Sequence, residues 1–137
     1  MPLYATEKKY YHKEKGILSL MYHRFDENKY PSTNIKMEVF KKQIEIINKN
    51  NFKFLDPKNF EDEFYKVKEN KKILITIDDA FLSFYENAWP FLKENQIPFI
   101  LFVSTEFIGK KGYMNIDQLK EVESANFAYL GNHSHSH

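Results

Sequence analysis

Two adjacent carboxylates close the most apolar stretch of the sequence: Ile73-Leu74-Ile75-Thr76-Ile77 runs directly into Asp78-Asp79. Like charges held side by side resist joint ionisation unless a cation or hydrogen-bond donors compensate. Such a pair serves a cation or a proton transfer, or it caps a helical turn starting near Phe81, since Asp is a favoured N-cap. A second cluster, Gly131-Asn132-His133-Ser134-His135-Ser136-His137, carries three of the five histidines. His133 and His137 are four apart, so in a helical turn both rings lie on one side. Two imidazoles and one carboxylate form a facial set for a divalent ion, with positions left for water and substrate. The plain alternative is a solvated histidine run, with His135 making the spacing degenerate. Placed beside Asp78-Asp79, the metal reading is the better one. A third cluster, Tyr22-His23-Arg24, follows the apolar run Ile17 to Tyr22. His23 reads equally as a residue in reach of a substrate and as a histidine satisfied by local hydrogen bonds.

These clusters need strands to carry them. Near-continuous apolar runs suit buried parallel strands, and four fit: 17–22, 73–77, 99–103 and 127–130, with a short extra one at 52–55. Met37, Phe40, Ile44 and Ile47 recur at helical spacing over about 37–50, and Asp26 to Asn34 reads as a loop. Phe60, Phe64 and Val67 suggest a short helix. Residues 84–95 form another, which Pro90 should kink or shorten. Asn115 with Gln118 makes a capping box for a helix bearing Ile116, Leu119 and Val122. Strands alternating with helices argue for βα units and a largely parallel sheet, whose functional groups sit beyond the C-terminal ends of the strands. All three polar clusters fall there.

Composition narrows the classes. The chain has 137 residues, enough for one domain. Lys and Arg total 20 against 19 Asp and Glu, a net charge of +1. That balance offers no electrostatic case for nucleic acid or an anionic membrane. No run reaches the roughly 20 apolar residues of a transmembrane span. There is no Cys, which excludes disulfides, Cys-based zinc sites and Cys nucleophiles. Residues 1–15 are a polar lead-in without the apolar stretch of a secretory signal. The expectation is therefore a cytoplasmic protein by default, or a cell-envelope protein if the N-terminus is incomplete.

Thr76-Ile77-Asp78-Asp79-Ala80 resembles the TFDDG motif of the polysaccharide deacetylase family, the NodB-homology or carbohydrate esterase family 4 enzymes. Gly131 to His137 is similar to that family's second motif, a Gly-Asn/Ser-His-Ser/Thr-x-x-His run. Tyr22-His23-Arg24 resembles the Tyr-His after the first strand of many members, including those acting on poly-N-acetylglucosamine. The likeness runs from about Gly16 to His137, with three motifs in the family's order.

The resemblance implies an α/β fold: part of a distorted (β/α)7 barrel with mostly parallel strands and outer helices. Residues 16–137 would be the N-terminal part of that domain, stopping within the second motif. It implies Asp78 as the general base that activates a metal-bound water, and Asp79, His133 and His137 as ligands of one divalent ion, most often zinc. His23 would contact substrate, an N-acetylated carbohydrate losing its acetyl group. The family's orienting Arg, aromatic groove wall and general-acid His all lie downstream. Two positions depart from the pattern, Ile77 for Phe and Ala80 for Gly. Ala80 matters more, because a Cβ at φ > 0 costs about 1 kcal/mol or more. A half-barrel that binds a partner or glycan without catalysis, and a metallo-amidohydrolase for a small non-sugar amide, are the alternatives. A partial barrel would also expose a sheet edge open to self-association.

Overall fold

The computed structural model describes residues 16–66 and 71–136. The lead-in 1–15, Val67 and His137 lie outside the described residues. Strand β1 (Leu18–Tyr22) opens the fold and is followed by a two-residue pair, β2 (Arg24–Phe25) and β3 (Asn34–Ile35). Helix α1 (Met37–Lys49) leads to the short β4 (Lys53–Phe54), a 3-10 turn at Pro57–Asn59 and α2 (Phe60–Lys66). Then come β5 (Lys72–Asp78), a π-helical turn at Phe84–Ala88, α3 (Trp89–Asn95), β6 (Phe99–Val103), α4 (Ile116–Glu123) and β7 (Ala128–Asn132).

The main sheet has the order β1-β5-β6-β7, with β4 against the start of β5. Every pairing in it is parallel. This is the expected α/β architecture, and the four long strands fall where the apolar runs placed them. The pair β2–β3, also parallel, flanks the stretch Asp26 to Asn34 expected to be loop and overlaps it only at Asn34. Two-residue strands leave no periodicity to read.

One face of the sheet carries Ile75, Ile77, Phe99 and Leu101, all fully buried. Helix α1 lays Phe40, Ile44 and Ile47 into that core, and α3 and α4 add Leu92 and Val122. Phe25, Phe40 and Phe84 interlock there, with ring centroids 5.2 Å and 6.1 Å apart for Phe25 against the other two. The opposite face is more open: Met21 pairs with Thr76, Thr76 with Ile100 and Ile100 with Tyr129, yet Met21 is 62% and Tyr129 47% exposed.

Two local details follow from side-chain chemistry. Asn115 Oδ1 accepts from Gln118 N at 2.9 Å while Gln118 Oε1 accepts from Asn115 N at 2.8 Å. That is the capping box expected for α4. Pro90, expected to kink or shorten a helix, instead sits in the first turn of α3, just after the π-turn. A proline there removes no intrahelical hydrogen bond. No described helix is long and apolar enough to cross a membrane.

Candidate active site

Strand register brings the three polar clusters to one place. Tyr22 pairs with Ile77, and Asp78 pairs with Phe102, which pairs with Gly131. Side chains alternate along a strand, so His23, two beyond Met21, and His133, two beyond Gly131, share the face of Thr76 and Asp78. All three lie at the C-terminal ends of parallel strands.

The distances bear this out. Asp78 Oδ2 is 3.8 Å from His23 Nε2 and 3.8 Å from His133 Nε2. Asp79 Oδ1 is 3.5 Å from His133 Nε2. Both carboxylates are largely buried, with side-chain exposures of 11% for Asp78 and 12% for Asp79. Asp79 and Ala80 take φ of 72° and 52°, so the chain turns sharply as it leaves β5. The loop before α4 clamps this turn: Met114 N donates to Ala80 O and Leu82 N to Gly112 O, each at 2.9 Å. Phe81 packs on Tyr113 with ring centroids 4.9 Å apart.

His133 is held through its backbone. Its N–H donates to Val103 O and its carbonyl accepts from Ser104 Oγ, both at 3.0 Å. Gly131 precedes it at a close crossing, where an added Cβ would lie 2.5 Å from Phe102 Cδ1. His135 belongs to another environment: its Nδ1 is 2.9 Å from Thr105 Oγ1 and its carbonyl accepts from Glu106 N at 2.8 Å. Tyr22 lies behind the site, its hydroxyl donating to Gln43 Oε1 at 2.7 Å; burial pushes it up to about 12.

A divalent ion is tested by the donor spacing. Two ligands about 2.0–2.1 Å from one tetrahedral ion stand about 3.3 Å apart, close to the 3.5 Å between Asp79 Oδ1 and His133 Nε2. Asp78 stands slightly further from His133. Among the described residues no group of three His, Asp or Glu side chains forms a cage for a metal, and His137 lies outside those residues. The pair fits two corners of a site.

Sequence reasoning did not single out Glu27 or Ser83, which brace the same region. Ser83 Oγ donates to Glu27 Oε1 at 2.7 Å and accepts from Phe25 N at 3.2 Å. Arg24 Nη1 donates to the other Glu27 oxygen at 3.0 Å. Only the adjacency of Arg24 to His23 pointed towards this network.

A parallel α/β sheet with carboxylates and imidazoles gathered at its strand ends defines the class to which the comparisons lead. Residues 65–137 match the polysaccharide deacetylase family model. A poly-beta-1,6-N-acetyl-D-glucosamine N-deacetylase of Staphylococcus aureus (strain MSSA476) is 30% identical over 135 residues, covering 86% of this chain and 46% of the relative. The Staphylococcus epidermidis protein of the same description is 36% identical over 87 residues, covering 60% and 29%. The structure of IcaB from Ammonifex degensii superposes with a TM-score of 0.81 at 28% identity, over 89% of this chain and 54% of that one. The Streptococcus pyogenes deacetylase PplD, solved with acetate, shares the fold at a TM-score of 0.72 and 22% identity, over 86% and 56%. The chain belongs to the polysaccharide deacetylase family, and it spans about half the length of the relatives it matches.

Proposed function

We propose that residues 16–137 form the N-terminal part of a metal-dependent N-deacetylase acting on a carbohydrate polymer of N-acetylated amino sugars. The observation that carries this is the convergence of Asp78, Asp79 and His133 at the ends of parallel strands. The names of the staphylococcal relatives point to N-acetylglucosamine as the sugar.

In this reading Asp79 and His133, with His137, hold one divalent ion, most often zinc in this family. When bound, such an ion supplies Lewis acidity towards the amide carbonyl and lowers the pKa of water. Asp78 takes the proton of the attacking water, its carboxylate fixed by burial at the end of β5. His23, whose Nε2 is 3.8 Å from Asp78 Oδ2, faces the same space and contacts the sugar. The N–H of Ala80 is a candidate donor to the developing oxyanion. The proton for the leaving amine comes from a group beyond these residues, so the 137-residue chain by itself should turn over poorly. Among the described residues β1 and β7 end the sheet, which suits self-association of that polypeptide.

Metal content and acetate release from β-1,6-linked N-acetylglucosamine oligomers test the proposal together. Asp79→Ala and His133→Ala should each lose stoichiometric zinc. In a protein extended to the length of its relatives, Asp78→Asn should keep the metal and lose at least about 100-fold in rate. Unchanged zinc binding in both alanine variants would overturn the site. Sugar binding without acetate release in the extended protein would favour a glycan-binding role instead.

A further inference from the structure

The chain leaving β1 builds a stack beside the site. The Arg24 guanidinium lies 3.5 Å from the Phe81 ring centroid and 4.3 Å from that of Tyr30. Its bond to Glu27 at 3.0 Å, and the Ser83 bond to Glu27 at 2.7 Å, fix the charged group in place. The layers run outward: Phe81 is buried, Arg24 is half-buried, and Tyr30 is 57% exposed. An arginine pinned between two rings makes a stiffer support than a flexible side chain would.

The backbone at Tyr30 is also unusual. It has φ of 59°, a region that costs a bulky side chain free energy and that recurs at ligand clamps. A turn holds it there, with Thr33 N donating to Tyr30 O at 3.0 Å. Close by runs a groove of about 300 Å³ lined by Met21, His23 and residues 32–35. It therefore connects the segment after Tyr30 to His23 and so to Asp78.

A pyranose ring presents a patch of C–H groups to an aromatic face and hydroxyls around its edge. An exposed, rigid tyrosine gives large contact area at small entropic cost, and Ser32 and Thr33 are among the residues lining the adjoining groove. We infer that Tyr30, backed by Arg24, is a stacking platform for the sugar unit next to the one that reacts. This rests on the N-deacetylase reading and adds to it the residue that would hold a second sugar unit of the polymer. Arg24 is a positioning residue for the platform.

Two measurements on the extended protein test this. In the first, the kcat/KM for acetate release is compared between a β-1,6-linked N-acetylglucosamine pentamer and the monosaccharide. Tyr30→Ala should lower the pentamer-to-monosaccharide ratio by about 3–10-fold, chiefly through the pentamer's KM. Tyr30→Trp should restore it, and Arg24→Lys, which keeps charge but loses the planar stack, should fall between. In the second, calorimetric binding of the pentamer is measured in the Asp78→Asn background, where no turnover is needed. Binding that weakens with Tyr30→Ala, without acetate release by any variant, would keep the platform and sink the deacetylase reading. Acetate release with an unchanged ratio and unchanged pentamer binding would sink the platform alone. Absence of both pentamer binding and acetate release would overturn both.

Discussion

Asp79 Oδ1 and His133 Nε2 stand 3.5 Å apart, although one follows β5 and the other ends the continuation of β7, with β6 between them. The separation is set by the sheet. Parallel pairing through Phe102 places Gly131 level with Asp78, and the alternation of side chains turns His133 to the same face. Anything that shifts β7 along or away from β6 should therefore be felt at the carboxylates.

Gly131→Ala should have this effect. The new Cβ would meet Phe102 Cδ1 at 2.5 Å and Ile100 Cγ2 at 3.2 Å, so the ring or the strand must move. Such overpacking typically costs about 1–3 kcal/mol. Denaturant unfolding should show that loss, and zinc affinity should drop with it, because His133 lies two residues on. Wild-type affinity in a destabilised variant would show that β7 does not transmit the strain.

Ala80 is a subtler case. Its φ of 52° confirms that the position reads as left-handed, where the family motif has Gly. An L-residue there costs about 1–2 kcal/mol relative to glycine. Against that gain, glycine loosens the unfolded chain by about 0.4–1 kcal/mol and forfeits about 0.8 kcal/mol of buried methyl. Ala80→Gly should therefore fall within about 1 kcal/mol of wild type in chemical denaturation. Ala80→Val, β-branched and buried at the same φ, should lose about 2 kcal/mol or more.

The four long strands, their parallel pairing and the placing of three polar clusters at their ends were readable in the residues. Apolar runs such as Ile73–Ile77 have no partner but a buried sheet, and Asp78-Asp79 marks where burial stops. The capping box of Asn115 and Gln118 was equally local. What could not be read depends on contacts far apart in sequence. Arg24 meets Phe81 only because β1 and β5 are neighbours. The π-turn that frees Pro90 from the helix interior depends on packing of Phe84 and Ala88 in the core. The role of His23 was evenly balanced between two readings for the same reason: a histidine's surroundings come from other strands.

Glu121 supplies a pH dependence away from the site. Its carboxylate accepts from the Tyr85 hydroxyl, from Trp89 Nε1 at 3.0 Å and from Lys93 Nζ at 3.1 Å, joining α4 to the π-turn and α3. These donors, Tyr85 first, lower its pKa from 4.5 to about 2. A carboxylate depressed in the folded state stabilises it above the unfolded pKa, and that stability is lost as pH falls through the folded value. Unfolding free energy should therefore decline between about pH 4.5 and 2, and Glu121→Gln should flatten that part of the curve. A wild-type slope in the variant would show that solvent screens the cluster.

The last prediction concerns the two ends of the sheet. Among the described residues β1 and β7 are its outer strands. On the open face Met21 is 62% and Tyr129 47% exposed. Beside each end lies an apolar groove on the helix side. One, of about 240 Å³, is lined by Leu18, Leu20 and Ile47; the other, of about 560 Å³, by Val103, Leu119 and Leu130 with Lys120, Glu123 and His135 at its polar side. Outer strands with unpaired backbone and apolar neighbours are templates for another chain, and contiguous apolar patches favour association. The 137-residue polypeptide should therefore self-associate, with a weight-average mass that rises with concentration in sedimentation equilibrium. Met21→Lys combined with Tyr129→Lys places a charge on each outer strand, a device by which natural edges avoid pairing. The double variant should sediment as a monomer while keeping its circular dichroism. A wild-type polypeptide that stays monomeric at all concentrations would show that these edges do not pair.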